Sequence, residues 1–74
     1  MHTWEYLFVV ADYAGEWRSR YVNAQQLDNW KEQPNITLYA NQLGQQGWEL
    51  INVVLATKGR MTLDYRLFFK RQTS

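Results

Sequence analysis

The groups able to take part in covalent chemistry are few: there is no cysteine, the one histidine is His2, and the serines are Ser19 and Ser74. A nucleophile needs a base and an orienting partner beside it, and nothing in this inventory is spaced to supply them. Without thiols there is neither a disulfide framework nor a thiolate metal site, and His2, on a terminus expected to be mobile, cannot build an imidazole-rich one. Seven carboxylates remain: Glu5, Asp12, Glu16, Asp28, Glu32, Glu49 and Asp64. Glu5 and Glu49 each stand beside a tryptophan in a strand-like run. Brought together across a sheet, they could perform acid–base work or hold a divalent cation. Cross-strand pairing with a base such as Arg18, Arg66 or Lys70 accounts for strand glutamates more simply. The expectation is a protein that is not an enzyme, with no catalytic residues, no metal site and no cofactor.

The basic residues are the better lead. Lys58 to Arg71 holds five of them against Asp64 alone, a local charge of +4, while the remainder has three basic and six acidic residues, a charge of −3. Arg66 and Lys70 share a strand face with Phe68, and Tyr65 and Arg71 lie next to them. Cationic strands interleaved with aromatics stack bases and track phosphates, so Tyr65, Arg66, Phe68, Lys70 and Arg71 form a candidate surface for single-stranded nucleic acid. Against this, a total charge of +1 gives weak attraction to a polyanion, and edge strands carry Lys and Arg simply to block aggregation. A third reading has Trp17 and Trp30 lining a pocket between protomers in which Arg18 and Arg20 clamp a small anion. Gly44-Gln45-Gln46-Gly47 fits the GxxG loop with which some domains hold a nucleic-acid backbone. Helix capping explains both glycines, with Gly44 ending a helix and Gly47 turning into a strand.

Positioning these groups requires a scaffold, and the periodicity supplies one. Residues 3 to 11 are rich in aromatic and β-branched types and close at Gly15, a residue free to take the positive φ of a turn. Residues 16 to 22 alternate, with Trp17, Ser19 and Tyr21 on one face and Glu16, Arg18 and Arg20 on the other, as in a strand with one wet face. Residues 23 to 34 turn polar and read as irregular or as one helical turn, ended by Pro34. Asn35 is a good N-cap, and Ile36, Tyr39 and Leu43 recur at helical spacing behind it. Trp48 to Thr57 and Met61 to Lys70 are strands joined by a tight turn at Lys58-Gly59-Arg60, with Met61, Leu63, Tyr65, Leu67 and Phe69 on one face. With no linker or repeat, residues 1–74 are expected to form a single α+β mini-domain: an antiparallel sheet of about four strands in ββαββ order, with one short helix on one face.

The length and composition then pose a problem. Seventy-four residues that are 46% hydrophobic and include twelve aromatics should fold, but with little surplus stability and no covalent staple. One helix covers one sheet face, yet both registers of the strands are apolar: Tyr6, Phe8 and Val10 against Leu7 and Val9, and Ile51, Val53 and Leu55 against Trp48, Leu50 and Val54. The expectation is a homodimer or higher symmetric oligomer, built sheet on sheet or by edge pairing, with Leu7, Val9, Trp48, Leu50 and Val54 at the interface. The alternative is that residues 23–34 fold over the second face as a lid, although Leu27 and Trp30 are all the apolar material they offer. No apolar run approaches the roughly 18 residues that span a bilayer. No basic, cleavable leader precedes Trp4, so the cytoplasm is the expected location. The partners expected are therefore a second copy of the chain and an unidentified protein, with nucleic acid as the secondary reading and no membrane.

Three blocks, Trp4-Glu5-Tyr6, Leu43-Gly44-Gln45-Gln46-Gly47-Trp48-Glu49-Leu50 and Phe69-Lys70-Arg71, occur here in the order WEY, LGxxGWEL, FKR. In this the chain resembles a family of very small bacterial and phage proteins known only as domain of unknown function four-one-seven-seven. The likeness spans about half the chain. It implies the small α+β fold and carries no activity with it. Leu7 departs from the resemblance, since that position is usually basic in the family, and residues 17–34 are longer than typical.

Overall fold

The computed structural model describes residues 3–73; Met1, His2 and Ser74, and the expectation for His2, lie outside the described residues. Five strands, β1 (Trp4–Tyr13), β2 (Trp17–Val22), β3 (Gln25–Gln26), β4 (Glu49–Lys58) and β5 (Met61–Gln72), form one antiparallel sheet in the order β3-β2-β1-β5-β4. Helix α1 (Ile36–Gln45) links β3 to β4, preceded by a 3-10 turn at Trp30–Glu32. The expected α+β class with an antiparallel sheet and one short α-helix is found. The strand count is five rather than four because Asn23 and Ala24 both take positive φ, 49° and 68°. That pair makes a two-residue turn whose twist suits a hairpin, and it sends the chain back along β2 as β3. The side chain and backbone of Asn23 also bind Phe8: Asn23 Oδ1 accepts from the Phe8 amide at 3.0 Å, and the Asn23 amide donates to the Phe8 carbonyl at 2.8 Å.

The core lies between α1 and one face of the sheet. Leu7, Val9 and Ala11 of β1, Leu67 and Phe69 of β5 and Leu43 of α1 are buried, with Ile36, Tyr39, Ala40, Trp48, Val22 and Tyr65 packed around them. Cross-strand partners share a face, so Leu7↔Phe69, Val9↔Leu67 and Ala11↔Tyr65 set the covered side, and Tyr6↔Lys70, Phe8↔Phe68 and Val10↔Arg66 the open one. This corrects the expected placement of Leu7 and Val9: they lie under the helix, 9% and 0% exposed, rather than on the uncovered face. The choice between the two apolar registers follows from side-chain size. Ala11 and its partner Ser19 are both wholly buried and let the helix approach the sheet closely, whereas the opposite register presents Trp4, Tyr6 and Phe8.

Two register shifts reverse further expectations. Between Val10 and Ala11 the β2 partner jumps from Tyr21 to Ser19, so Tyr21 sits opposite Val10 on the open side while Trp17 and Ser19 stay on the covered one. Between Leu50 and Asn52 the β5 partner moves only from Phe69 to Phe68, leaving Ile51 as the extra residue of a β-bulge. Leu50 therefore joins Val53 and Leu55 on the helix side, and Asn52 and Val54 face the other way, opposite Phe68 and Arg66. A third shift, at Ala56/Thr57, interrupts the alternation of β5 toward the hairpin tip.

Both helix ends follow local rules. Asn35 Oδ1 accepts from the Leu38 amide at 3.0 Å, the expected N-cap. At the other end the helix runs past Gly44, which was expected to stop it. Gly47, at φ 91°, is the left-handed residue, and the amides of Trp48 and Gly47 donate to the carbonyls of Leu43 and Gly44, each at 3.0 Å. This six-to-one, five-to-two pair is the Schellman arrangement, and it carries Trp48 onto the core beside Leu43.

Candidate interaction surfaces

Edge strand β4 is the first surface. It is the outermost strand on its side of the sheet, and nine of its ten residues are exposed. Leu50, Ile51, Val53, Val54 and Leu55 are each 40–48% exposed, with no charge between Glu49 and Lys58. Proteins usually blunt such an edge with charge, proline, a bulge or a covering segment; β4 has its bulge, and Asn52 Oδ1 accepts from the Val53 amide at 2.9 Å. On the helix side, Leu50, Val53, Tyr65 and Leu67 form the floor of a groove of about 360 Å^3, with Ile36, Thr37, Ala40 and Asn41 of α1 as its wall. The groove is open because α1 reaches across the core without covering β4.

The second surface is the sheet face away from α1. Trp4, Tyr6 and Phe8 stand in a row along β1, 45%, 56% and 50% exposed, and Phe8 meets Phe68 edge to face with ring centroids 5.1 Å apart. Lys70 Nζ lies 4.7 Å from the Trp4 ring centroid, directly across from Glu49 of β4. Arg66 pairs with Asp64 at 3.2 Å. The five residues expected to bind nucleic acid therefore do not share a face. Arg66, Phe68 and Lys70 are on the open side. Tyr65 is on the other, its ring edge to face with Trp17 at 4.5 Å, and so is Arg71. What the sequence reading left out is the β1 row beside them, although the alternation of Tyr6, Phe8 and Val10 is visible in the sequence.

Arg71 is a structural tie. Its guanidinium pairs with Glu5, directly opposite on β1, with Nε to Oε1 at 2.6 Å, donates to the Gln46 carbonyl at 3.2 Å, and lies 4.2 Å from the Trp48 ring centroid. Its aliphatic stem lies against Gly47, 3.5 Å from where a Cβ would stand. Glu5 thus has its base, and it faces the helix side while Glu49, across from Lys70, faces the open side with β5 between them. The two glutamates do not form a dyad, and no group of three or more His, Cys, Asp or Glu is clustered for a metal ion among the described residues. Of the expected interface residues, Leu50 and Val54 are exposed on β4 but on opposite faces, and Trp48 is half-buried beneath Arg71.

Residues 27–35 close the other edge of the sheet. The Leu27 amide donates to the Arg20 carbonyl at 2.8 Å, and Asn35 bridges to Arg18. Arg18 donates to the carbonyls of Ala14 and Gln33. Arg20 pairs with Asp12 at 2.9 Å and lies 4.7 Å from the ring centroid of buried Trp30. Both guanidiniums are engaged in holding this segment on β2, so the segment seals an edge rather than forming a lid over Tyr6 and Phe8. Comparison with family models, curated proteins and solved structures finds no match to this chain.

Proposed function

We propose that this chain works by binding rather than catalysis, as a small cytoplasmic interaction module whose first partner is another copy of itself. The observation behind the reading is the run of half-exposed aliphatic side chains on β4, continuous with the groove beside α1. At about 25 cal/mol per Å^2, leaving that surface in water forgoes several kcal/mol, comparable to the margin of so small a domain. No helix among the described residues is long and apolar enough to cross a membrane. Sedimentation equilibrium from one to one hundred micromolar tests the reading: a mass of two or more chains is expected, and a monomer throughout the range overturns it.

The open aromatic face favours a second reading, binding of short single-stranded nucleic acid. Trp4, Tyr6, Phe8 and Phe68 lie on adjacent central strands with Arg66 and Lys70 among them, an arrangement on which unpaired bases stack. Affinity for a fluorescent single-stranded oligonucleotide should fall steeply with salt and be lost in Arg66→Glu/Lys70→Glu. No binding at low salt ends this reading.

A further inference from the structure

We infer that two copies pair antiparallel through β4, edge to edge, about a two-fold axis at Val54, joining their sheets into one of ten strands. This inference rests on the self-association reading and adds the place and the register. A two-fold axis perpendicular to a sheet preserves its faces, so residues meeting across the new pair must point the same way. The charges at the strand ends select the register. Glu49 is five residues before Val54 and Lys58 four after it, but Ile51 is the extra residue of the bulge and takes up no pleat. Both charges therefore lie four pleats from Val54. Glu49 shares the open face with Val54, as the partners Lys70 and Arg66 show, and Lys58 follows Val54 and Ala56 there by alternation. With Val54 against Val54, each Glu49 meets the other copy's Lys58. Moving the axis by one pleat either way separates both pairs.

On the helix side the same register sets Val53 beside the second copy's Leu55 and turns the two grooves toward each other, giving the half-exposed aliphatic side chains partners. The chain as a whole is less compact than a monomer of its mass should be. The chain exposes 5356 Å^2, against roughly 4800 Å^2 expected for a compact monomer of its mass, 8.9 kDa. Its radius of gyration is 12.9 Å, against about 11 Å for a compact domain of this length. The excess approaches the ~600 Å^2 that each partner gives up at the lower end of standard interfaces.

These 74 residues contain no cysteine, so one introduced thiol reports the register without interference. Val54→Cys is expected to give a disulfide-linked dimer in oxidised glutathione, because directly opposed antiparallel residues bring their Cα atoms to about 4.5–5.5 Å. Tyr6→Cys, exposed on β1, should not cross-link. Glu49→Lys and Lys58→Glu should each weaken the dimer ~3- to 10-fold, and the double reversal should restore it, since two identical pairs form per dimer. Circular dichroism verifies that each variant is folded. A chain that remains monomeric overturns the register together with the self-association reading. A dimer in which either the Val54→Cys cross-link or the restoration fails overturns the register alone and leaves self-association standing.

Discussion

Along β2 the outer edge of the sheet is occupied by the chain's own next residues. β3 pairs with Tyr21 and Val22, Asn35 bridges to Arg18, and Trp30 is buried against Arg20. Along β4 no further strand pairs among the described residues, and a longer and more apolar strand is left exposed between Glu49 and Lys58. The difference lies in the side chains available to hold a cover. β2 offers two arginines with long reach: Arg18 donates to the Gln33 carbonyl of the cover, and Arg20, held by Asp12 of β1, lies over the cover's Trp30 ring. β4 offers aliphatic side chains, which give a cover area but no anchor. A sheet can close one edge with polar hooks at little cost in core material, while an aliphatic edge calls for a partner that is itself aliphatic.

The largest break in this comparison comes from beneath the helix. Phe69→Ala, at a site 1% exposed, should cost about 3–5 kcal/mol in urea unfolding, enough to unfold much of the population. Leu55→Ala, on the half-exposed edge, should cost the monomer less than about 1 kcal/mol and show instead as weaker self-association by sedimentation. Next, Trp30→Ala should cost about 3 kcal/mol and unseat residues 27–35. Amide exchange there should rise, and the freed β2 edge should make the protein more prone to associate, which would show that the segment acts as an edge cover. If exchange in 27–35 is unchanged, the two edges differ for some other reason.

A smaller effect is expected where the halves join. Gly47→Ala forces a side chain into the left-handed region beside Arg71 and should cost about 1 kcal/mol by thermal unfolding. The smallest concerns Tyr39, whose phenol burial pushes above its ordinary value of 10.0. The fold holds that proton more tightly than the unfolded chain does. Its contribution is therefore complete below pH 10 and lost as pH rises through the folded value, and Tyr39→Phe should flatten the alkaline limb of the stability curve.

Much of the scaffold was legible because local chemistry dictates it. Asn35 can cap, Pro34 and Gly15 break structure, and the β-branched runs extend. What failed were the faces. A bulge is a property of pairing and leaves no mark on one strand's pattern, so Tyr21 and Leu50 were placed on the wrong sides. Leu7 and Val9 were misplaced because both registers of β1 are equally apolar, and the small residues Ala11 and Ser19 decide which one the helix covers. The interaction surfaces were half visible: Arg66, Phe68 and Lys70 were grouped correctly, but their neighbours Trp4, Tyr6 and Phe8 come from the far end of the chain, and only topology joins them.

That topology also fixes an order of events. The two central strands, β1 and β5, pair residues as far apart as Trp4 and Gln72. The β1–β2 and β4–β5 hairpins close over short loops and can form early, but the pair at the centre of the sheet must wait for nearly the whole chain. Until it forms, β1 has no partner on its inner side, and the surface destined for the core stays in water. The β1–β5 pairing is therefore the step expected to limit folding, and substitutions along that seam should slow refolding, followed by stopped-flow fluorescence, more than those at either outer edge.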